Sequence, residues 1–256
     1  MKDAVVIGGL GMVGKATRQA FGIEKFIDLK ESTSSYKEAG KMRYVFLCLP
    51  TPTVNGVCQT DSIKEAIKAV LDHSTTQNVF IIRSTVTPGT TKHLNEILGI
   101  TCIVHNPEFL SEDTWESDIN HPDLAVIGGE NEAYIEDVAA VYRGRYKGLN
   151  IIKTDSLTSE MIKYAINTYY ATKVVFANQI YDQAQRIGAN YETIKRAMYG
   201  RKWIGKNHLT VWHKEKRGAG GKCLEKDLEA FAEYTQLPLL KEANKLNKKY
   251  LGGQHD

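Results

Sequence analysis

The segment Gly9-Leu10-Gly11-Met12-Val13-Gly14 constrains this chain more than any other. It follows at once on residues 3–7 (DAVVI), which read as a buried strand, and it leads into residues 12–21, which read as a helix. A G-x-G-x-x-G spacing by itself is a weak signal. Between a strand and a helix its physics becomes specific. Gly9 permits a tight turn, Gly11 lets a pyrophosphate approach the backbone, and Gly14 lets the helix pack close to the strand. The free N–H groups of the helix start, at Met12 and Val13, then face the anion. Asp28 closes a second short strand (25–29), 19 residues after Gly9. A carboxylate there accepts hydrogen bonds from ribose hydroxyls and repels a 2′-phosphate, so the expected cofactor is NAD rather than NADP; Lys30 nearby offsets that preference in part. The competing description is a glycine-rich turn beside a surface aspartate.

The alternation continues along the chain. Residues 44–49 (YVFLCL) form a continuous apolar run, as a parallel strand covered on both faces should. Helix 62–72, strand 78–83, helix 90–98, strand 101–104 and a last strand at Leu124–Ile127 follow. Strand and helix in strict alternation predict an α/β fold with a Rossmann-type, doubly wound parallel sheet. After about residue 150 the pattern changes. Residues 157–187 contain no Gly or Pro and keep helical periodicity, which predicts one unusually long helix with Gly188 as its C-cap. Shorter helices are expected at 191–199, 224–235 and 238–249, with a glycine-rich loop at 217–221. The expected organisation is a cofactor domain over 1–150 and an all-α catalytic and dimerisation domain, built on the long helix, over 151–256.

Composition narrows the partners. The net charge of +3 is too small to argue for nucleic acid, and the four lysines between Lys241 and Lys249 read as a solvated helix face. No apolar run reaches the ~18 residues that span a bilayer. The N-terminus reads as strand and turn rather than a signal peptide. Cys48, Cys58, Cys102 and Cys223 have no close spacing and no metal-like pairing with histidine, so no metal and a reduced, cytoplasmic setting are expected.

Three further constellations carry chemistry. In Arg217-Gly-Ala-Gly-Gly-Lys222-Cys223 a cysteine follows a glycine loop at the start of a helix, where N–H groups and Lys222 would favour the thiolate. Asp227, four residues on, shares its helical face. A lone cysteine is more commonly a buried core residue, and Cys48 and Cys102, on strands, are read that way. Lys163 and Asn167 stand i,i+4 on the long helix, where an ammonium and an amide side by side could hold an oxyanion; spacing alone equally describes an exposed pair. Glu108 and Glu112 follow a strand end at the carboxyl edge of the sheet, where one could act as a base for water or both could be solvated loop acids.

Together these segments resemble one family. IRSTVTPGTT (82–91) is similar to its strand and S-T-V-P-P-G-T loop, LPTPTVNGVCQTD (49–61) to its V-P-T-P…G…D loop, and NPEFLSED (106–113) to N-P-E-F-L-R-E-G. EMIKYAINTYYATKVVFANQI (160–180) is similar to E-x-x-K-x-x-x-N…A-x-K-x-x-F-x-N-E, and HLTVWHKEKRGAGGKCLEKD (208–227) to G-F-G-G-x-C-x-P-K-D. The chain thus resembles the UDP-glucose/GDP-mannose dehydrogenase family along nearly its whole length, with the motifs in family order. The resemblance implies oxidation of a nucleotide-sugar C6 alcohol to a carboxylate in two hydride transfers to NAD. It implies Cys223 as the nucleophile that traps the aldehyde, Lys163 and Asn167 as oxyanion stabilisers, and Asp227 and Thr85 as the groups positioning a water or proton acceptor. Glu108 would serve thioester hydrolysis. Thr51, Thr85 and Glu112 would lie against the cofactor. Phe109, Leu110, Arg201, Lys202, Arg217, Gly220, Gly221 and Lys222 would meet the substrate; Arg217 and Lys222 flank the glycine loop, where they could meet its phosphate or equally be solvated loop charges. It also implies a homodimer formed through the long helix.

The sequence departs from the pattern in places. Ala219 replaces the loop Phe, Glu225 the Pro before Lys226, Trp212 the Pro of the H-L-x-V-P that leads into this loop in some members, and Gln179 the Glu after Asn178. Trp203-Ile204-Gly205 stands where R-I-G is usual. The family's second Rossmann-like domain, which contacts the nucleotide, is expected to be lacking. The catalytic set is therefore complete while the substrate-gripping set is thinner. Two other readings remain: a dehydrogenase of a smaller alcohol or sugar phosphate, and a non-catalytic, dimeric NAD-binding remnant.

Overall fold

The strands that build the sheet are almost wholly apolar, and their burial explains how one run of sequence serves two faces. The computed structural model of the protein describes residues 1–221 and 223–253. In chain order the elements are β1 (Ala4–Ile7), α1 (Met12–Phe21), β2 (Phe26–Ile27), α2 (Tyr36–Ala39), β3 (Tyr44–Leu47), β4 (Thr53–Val54), β5 (Val57–Cys58), α3 (Asp61–Leu71), β6 (Val79–Ile82), α4 (Thr90–Leu98) and β7 (Ile103–His105). They continue with α5 (Trp115–Asn120), β8 (Leu124–Gly129), α6 (Glu132–Arg145), β9 (Asn150–Thr154), α7 (Ser156–Ile187), α8 (Tyr191–Tyr199), α9 (Leu224–Thr235) and α10 (Pro238–Leu251). Seven strands pair in the order β2-β1-β3-β6-β7-β8-β9, and β4 and β5 form a separate ribbon.

Successive side chains of a strand point to opposite faces. Ala4, Val6, Phe46 and Ile81 accordingly join Ala16, Ala20 and Phe21 of α1 and Ile135, Val138 and Ala139 of α6 in one core. Val5, Ile7, Val45, Leu47, Phe80 and Ile82 join Ile63, Ile67 and Val70 of α3 and Leu94 of α4 in the other. Burial on both sides is what makes these strands read as unbroken apolar runs, and the Rossmann-type α/β architecture expected from the sequence is the one observed.

Three features depart from the sequence expectation. First, β8 is antiparallel to β7, with Val104 opposite Gly129. A parallel return requires a crossover long enough to carry the chain back along the sheet. The only helix between β7 and β8 is α5, whose six residues advance about 9 Å. Second, Leu124–Ile127 is not the last strand: β9 pairs parallel to β8 beyond it. Its NIIKT sequence lies at the sheet edge with three of five residues exposed and none buried, so it lacks the apolar run that marks the inner strands. Third, α6, with Ile135, Val138, Ala139 and Tyr142 buried along one face, is an element the strand-and-helix reading passes over.

The chain divides into two compact units. The first contains Met1–Pro52 and Cys58–Lys163; the second contains Thr53–Val57 and Tyr164–Asp256. The division falls inside α7 rather than at residue 150, because the first turns of that helix are bound to the sheet unit. Asp155 caps it, accepting from Thr158 N at 2.8 Å and Thr158 Oγ1 at 2.7 Å, and Ser159 Oγ lies 2.8 Å from His105 Nδ1. At its other end Gly188 takes a left-handed φ of 74° and Ala189 N donates to Ala184 O at 2.8 Å, a C-terminal cap of the expected kind. The second unit packs α9 and α10 around Ala171 and Val174 of α7, with Ala219, Leu228 and Ala243 in the same core.

Candidate active site

The glycine loop of the first unit is shaped by close approach. The residue in the left-handed region is Gly8, at φ 85°, not Gly9. A Cβ on Gly8 would stand 2.4 Å from Cys48 O, and one on Gly14 would stand 2.1 Å from Gly8 O. Gly9 is needed for a different reason from the tight turn expected of it: its Cβ would overlap the Phe26 side chain at 2.5 Å. Gly11 is unlike the others, since only Gly8 O comes within 4 Å of its Cβ position, at 3.7 Å. It is also the N-cap of α1 and supplies no side-chain acceptor to the first N–H groups, those of Met12, Val13 and Gly14. An open backbone edge above an uncapped helix N-terminus is the arrangement that suits a pyrophosphate. Asp28 follows β2 directly. Its Oδ2 accepts from Leu10 N at 2.9 Å and its Oδ1 from Leu29 N at 2.8 Å, which ties the glycine loop to the end of β2 and leaves each oxygen a further lone pair.

At the carboxyl ends of the strands, Thr51 Oγ1 donates to Thr85 O at 2.8 Å, and both residues are buried. Glu108 and Lys163 are buried together. The Lys163 ammonium donates to Glu108 O at 2.6 Å and lies 3.2 Å from Glu108 Oε1. Leu110 N donates to Glu108 Oε2 at 2.6 Å, and the ring of Phe109 lies 5.3 Å from Lys163 Nζ. Glu112, by contrast, is exposed.

Buried polar groups that the motif reading passed over hold this edge in place. Arg83 ends the otherwise apolar β6 region with 3% exposure and donates to Asn106 Oδ1 at 2.6 Å, fixing the start of the segment that carries Glu108. Asn106 Nδ2 reaches Val126 O at 2.7 Å. Glu160, one turn before Lys163, accepts from Gly89 N at 2.5 Å, Thr91 N at 2.8 Å and Thr91 Oγ1 at 2.6 Å, and so caps the start of α4. Burial is the main cause that lifts its carboxyl to about 7. Burial likewise pushes the His105 imidazole down to about 3, keeping it neutral. The position of Glu160 in E-x-x-K and the charge closing NVFIIR were the signals available for the two.

In the second unit Cys223 is the N-cap of α9, half-buried and free of disulfide. Asp227 N donates to Cys223 O at 3.0 Å, so the two residues stand one turn apart. The Asp227 carboxylate is fully buried. Its Oδ2 accepts from Asn167 Nδ2 at 2.6 Å, and its Oδ1 pairs with Lys226. Lys226 thus belongs to the cluster although the motif reading assigned it nothing. Cys48 contrasts with Cys223: burial pushes its thiol up to about 11, as the core reading expects.

The expectation for Arg217 needs correction. It is 4% exposed, its Nη1 lies 2.7 Å from Asp182 Oδ1, and its Nε donates to Asn178 Oδ1 at 2.8 Å. Rings of Tyr181 and Tyr250 lie 5.1 and 4.7 Å from its guanidinium carbon. Three of its five N–H donors are engaged within the protein, by Asn178 and Asp182. Arg201 and Lys202 are exposed after α8, with Lys202 Nζ 5.3 Å from the Trp203 ring. Gly220 and Gly221 lie in the loop before Cys223, and Lys222 lies outside the described residues. Among the described residues no group of three or more His, Cys, Asp or Glu could hold a metal ion, and no helix is long and apolar enough to cross a membrane.

Residues 22–145 match the NAD binding domain of the UDP-glucose/GDP-mannose dehydrogenase family, and residues 157–249 match that family's central domain. A UDP-glucose 6-dehydrogenase of Rickettsia conorii is 32% identical over 191 residues, covering 73% of this chain and 43% of its own length. One of Bacillus subtilis is 32% identical over 233 residues, covering 86% of this chain and 51% of its own. The chain therefore spans about half the length of the curated relatives it matches. A solved UDP-glucose dehydrogenase from the hyperthermophilic archaeon Pyrobaculum islandicum has the same fold over 97% of this chain and 68% of that one, with a TM-score of 0.84 at 22% identity. NAD is the cofactor of the first unit, and the open edge at Gly11 above α1 fits it.

Proposed function

Since the chain belongs to the UDP-glucose/GDP-mannose dehydrogenase family, we propose that it oxidises the C6 alcohol of a nucleotide sugar to the carboxylate by two successive oxidations through Cys223. The observation that carries this reading is Cys223 at the start of α9, one turn from a buried Asp227 that is bonded to Asn167. A single alcohol oxidation has no use for a cysteine, whereas in a four-electron oxidation a thiolate can hold the intermediate aldehyde and split the second oxidation into easier steps. NAD, when bound, accepts a hydride in each oxidation.

The residues divide the remaining work. Cys223 Sγ adds to the aldehyde carbon, and the carbonyl oxygen takes up a proton to give a thiohemiacetal. Its oxidation leaves a thioester, and attack by water releases the carboxylate and restores the thiol. Lys163 has three N–H donors, of which two atoms of Glu108 occupy part, and Asn167 uses one of its two amide hydrogens on Asp227. Each keeps a donor for an oxygen that gains negative charge. Asp227, with Thr85, orients the water. Glu108 keeps free lone pairs for its proton. Phe109, Leu110, Arg201, Lys202 and the Gly220–Gly221 stretch would contact the sugar nucleotide, and Glu112 the cofactor. The same reading has the protein act in the cytoplasm as a homodimer through α7, along which Leu157, Met161, Tyr169 and Phe176 are each at least 40% exposed. A monomer in sedimentation across micromolar concentrations would remove the dimer from it.

The test is a count of NADH formed per sugar with UDP-glucose as substrate. The wild type should give two. Cys223→Ser has a side chain of similar size but a far weaker nucleophile at neutral pH. It should give at most about one NADH per site in a burst and little turnover after it. Full four-electron turnover by the serine variant would make Cys223 structural and favour a smaller alcohol, oxidised once, as substrate.

A further inference from the structure

The loop that precedes Cys223 is fastened at two points, and the second of them has no place in the chemistry above. Asn247, on α10, is fully buried. Its Oδ1 accepts from Ala219 N at 2.6 Å and its Nδ2 donates to Ala219 O at 3.0 Å. One carboxamide thereby satisfies both polar groups of a single backbone residue, as a neighbouring strand would. The backbone comes close enough for this because residue 218 is glycine. Its φ is 82°, and a Cβ there would stand 3.0 Å from Asn247 Oδ1 and 3.2 Å from the Tyr250 Cβ.

The first fastening is Arg217. Its guanidinium binds Asn178 and Asp182 of α7, and Tyr250 of α10 donates to Asp182 Oδ2 at 3.0 Å. Beyond Ala219 come Gly220 and Gly221, which bring no side chain to pack and the largest backbone entropy to lose. Gly221 is at φ 81°. The Asn247 clamp is therefore the last side-chain anchor seen before Cys223 along the described chain. An amide buried in this way is costly if left unpaired, so a buried asparagine at this point of α10 is explained by the loop it grips.

We propose that Asn247 is a positioning residue for Cys223: its paired hydrogen bonds to Ala219 fix the glycine loop so that the thiol stays at the N-terminus of α9. The proposal rests on the reading of Cys223 as the nucleophile. Without the clamp the loop samples other courses, Cys223 is held less firmly at the start of α9, and capture of the aldehyde slows relative to its escape.

The test uses Asn247→Ala and Asn247→Asp in the full chain. The aspartate keeps the acceptor for Ala219 N but loses the donor to Ala219 O, and it supplies the readouts if the alanine variant does not fold. Two quantities are measured on whichever variant keeps the wild-type circular dichroism. The first is the pH–rate profile of Cys223 alkylation by iodoacetamide, with the site identified by mass spectrometry. The second is the NADH-to-sugar ratio with UDP-glucose and NAD, with released aldehyde trapped by hydroxylamine. The expected results are a profile midpoint displaced from that of the wild type, and a ratio that falls from two toward one while oxime accumulates and KM stays within about twofold. A merely structural stitch would lower the melting temperature and leave both quantities where they were, and that outcome overturns the proposal. The alkylation profile needs no turnover. It therefore judges the clamp even if Cys223→Ser proves fully active and the nucleophile assignment fails.

Discussion

Replacing Glu160 by glutamine should change how stability depends on pH, by an amount the structure sets. Glu160 is fully buried, and its carboxyl is lifted from the ordinary 4.5 to about 7, chiefly by desolvation. Between those values the native state holds a proton that the unfolded chain has released. Unfolding therefore releases a proton, and stability falls as pH rises through this window and levels off above it. A shift of this size corresponds to roughly 3 kcal/mol at 1.36 kcal/mol per pH unit. About 2–3 kcal/mol of that falls between pH 5 and pH 8. Glutamine is isosteric with the protonated acid and does not titrate. Urea unfolding of both proteins at pH 5, 6, 7 and 8 should show the wild type losing about 2–3 kcal/mol relative to Glu160→Gln across the series. His105, held neutral by burial with its imidazole near 3, contributes in the opposite sense: below pH 6.5 unfolding takes up a proton and stability falls on acidification. That contribution is common to both proteins and cancels in the difference. A flat difference, or one that grows in favour of the wild type with pH, would show that Glu160 is ionised throughout and that its three hydrogen bonds outweigh its burial.

Gly14→Ala places a methyl group 2.1 Å from Gly8 O and should lower stability by at least about 1–3 kcal/mol. Gly11→Ala meets nothing closer than 3.7 Å and should leave the melting temperature unchanged while weakening NAD binding, as titration by cofactor fluorescence would read. Lys163→Met strands the buried Glu108 carboxylate and should cost roughly 3–5 kcal/mol in urea unfolding, with much of the loss recovered when Glu108→Gln is added. Arg217→Ala removes the ion pair with Asp182, which keeps its bond from Tyr250, and the bonds to Asn178, and should destabilise the second unit by roughly 1–3 kcal/mol; a variant that keeps its thermal stability and shows only a raised KM would restore Arg217 to the substrate.

Local chemistry determined much of this protein from its sequence alone. The glycine loop after an apolar strand, the unbroken apolar runs of β1, β3 and β6, and the absence of Gly and Pro from 157 to 187 rest on short-range steric and periodic rules, and each produced its element within a residue or two. The same holds for Cys223 and Asp227, whose placement one turn apart follows from helix geometry once α9 forms. Tertiary structure decided what no single segment contains. The direction of β8 depends on the reach of α5, and β9 is recognisable as a strand only through its pairing with β8. Gly8 rather than Gly9 turns the loop because Cys48 lies behind it, and Arg217 faces inward because Asp182, two turns further along α7 than Val174, meets it there. The partners of Lys163, Asn167, Glu160 and Asn247 lie 55, 60, 69 and 28 residues away along the chain. Sequence shows that such polar residues exist, but only the packed chain decides which of them are buried, and burial is what makes their hydrogen bonds and charges count.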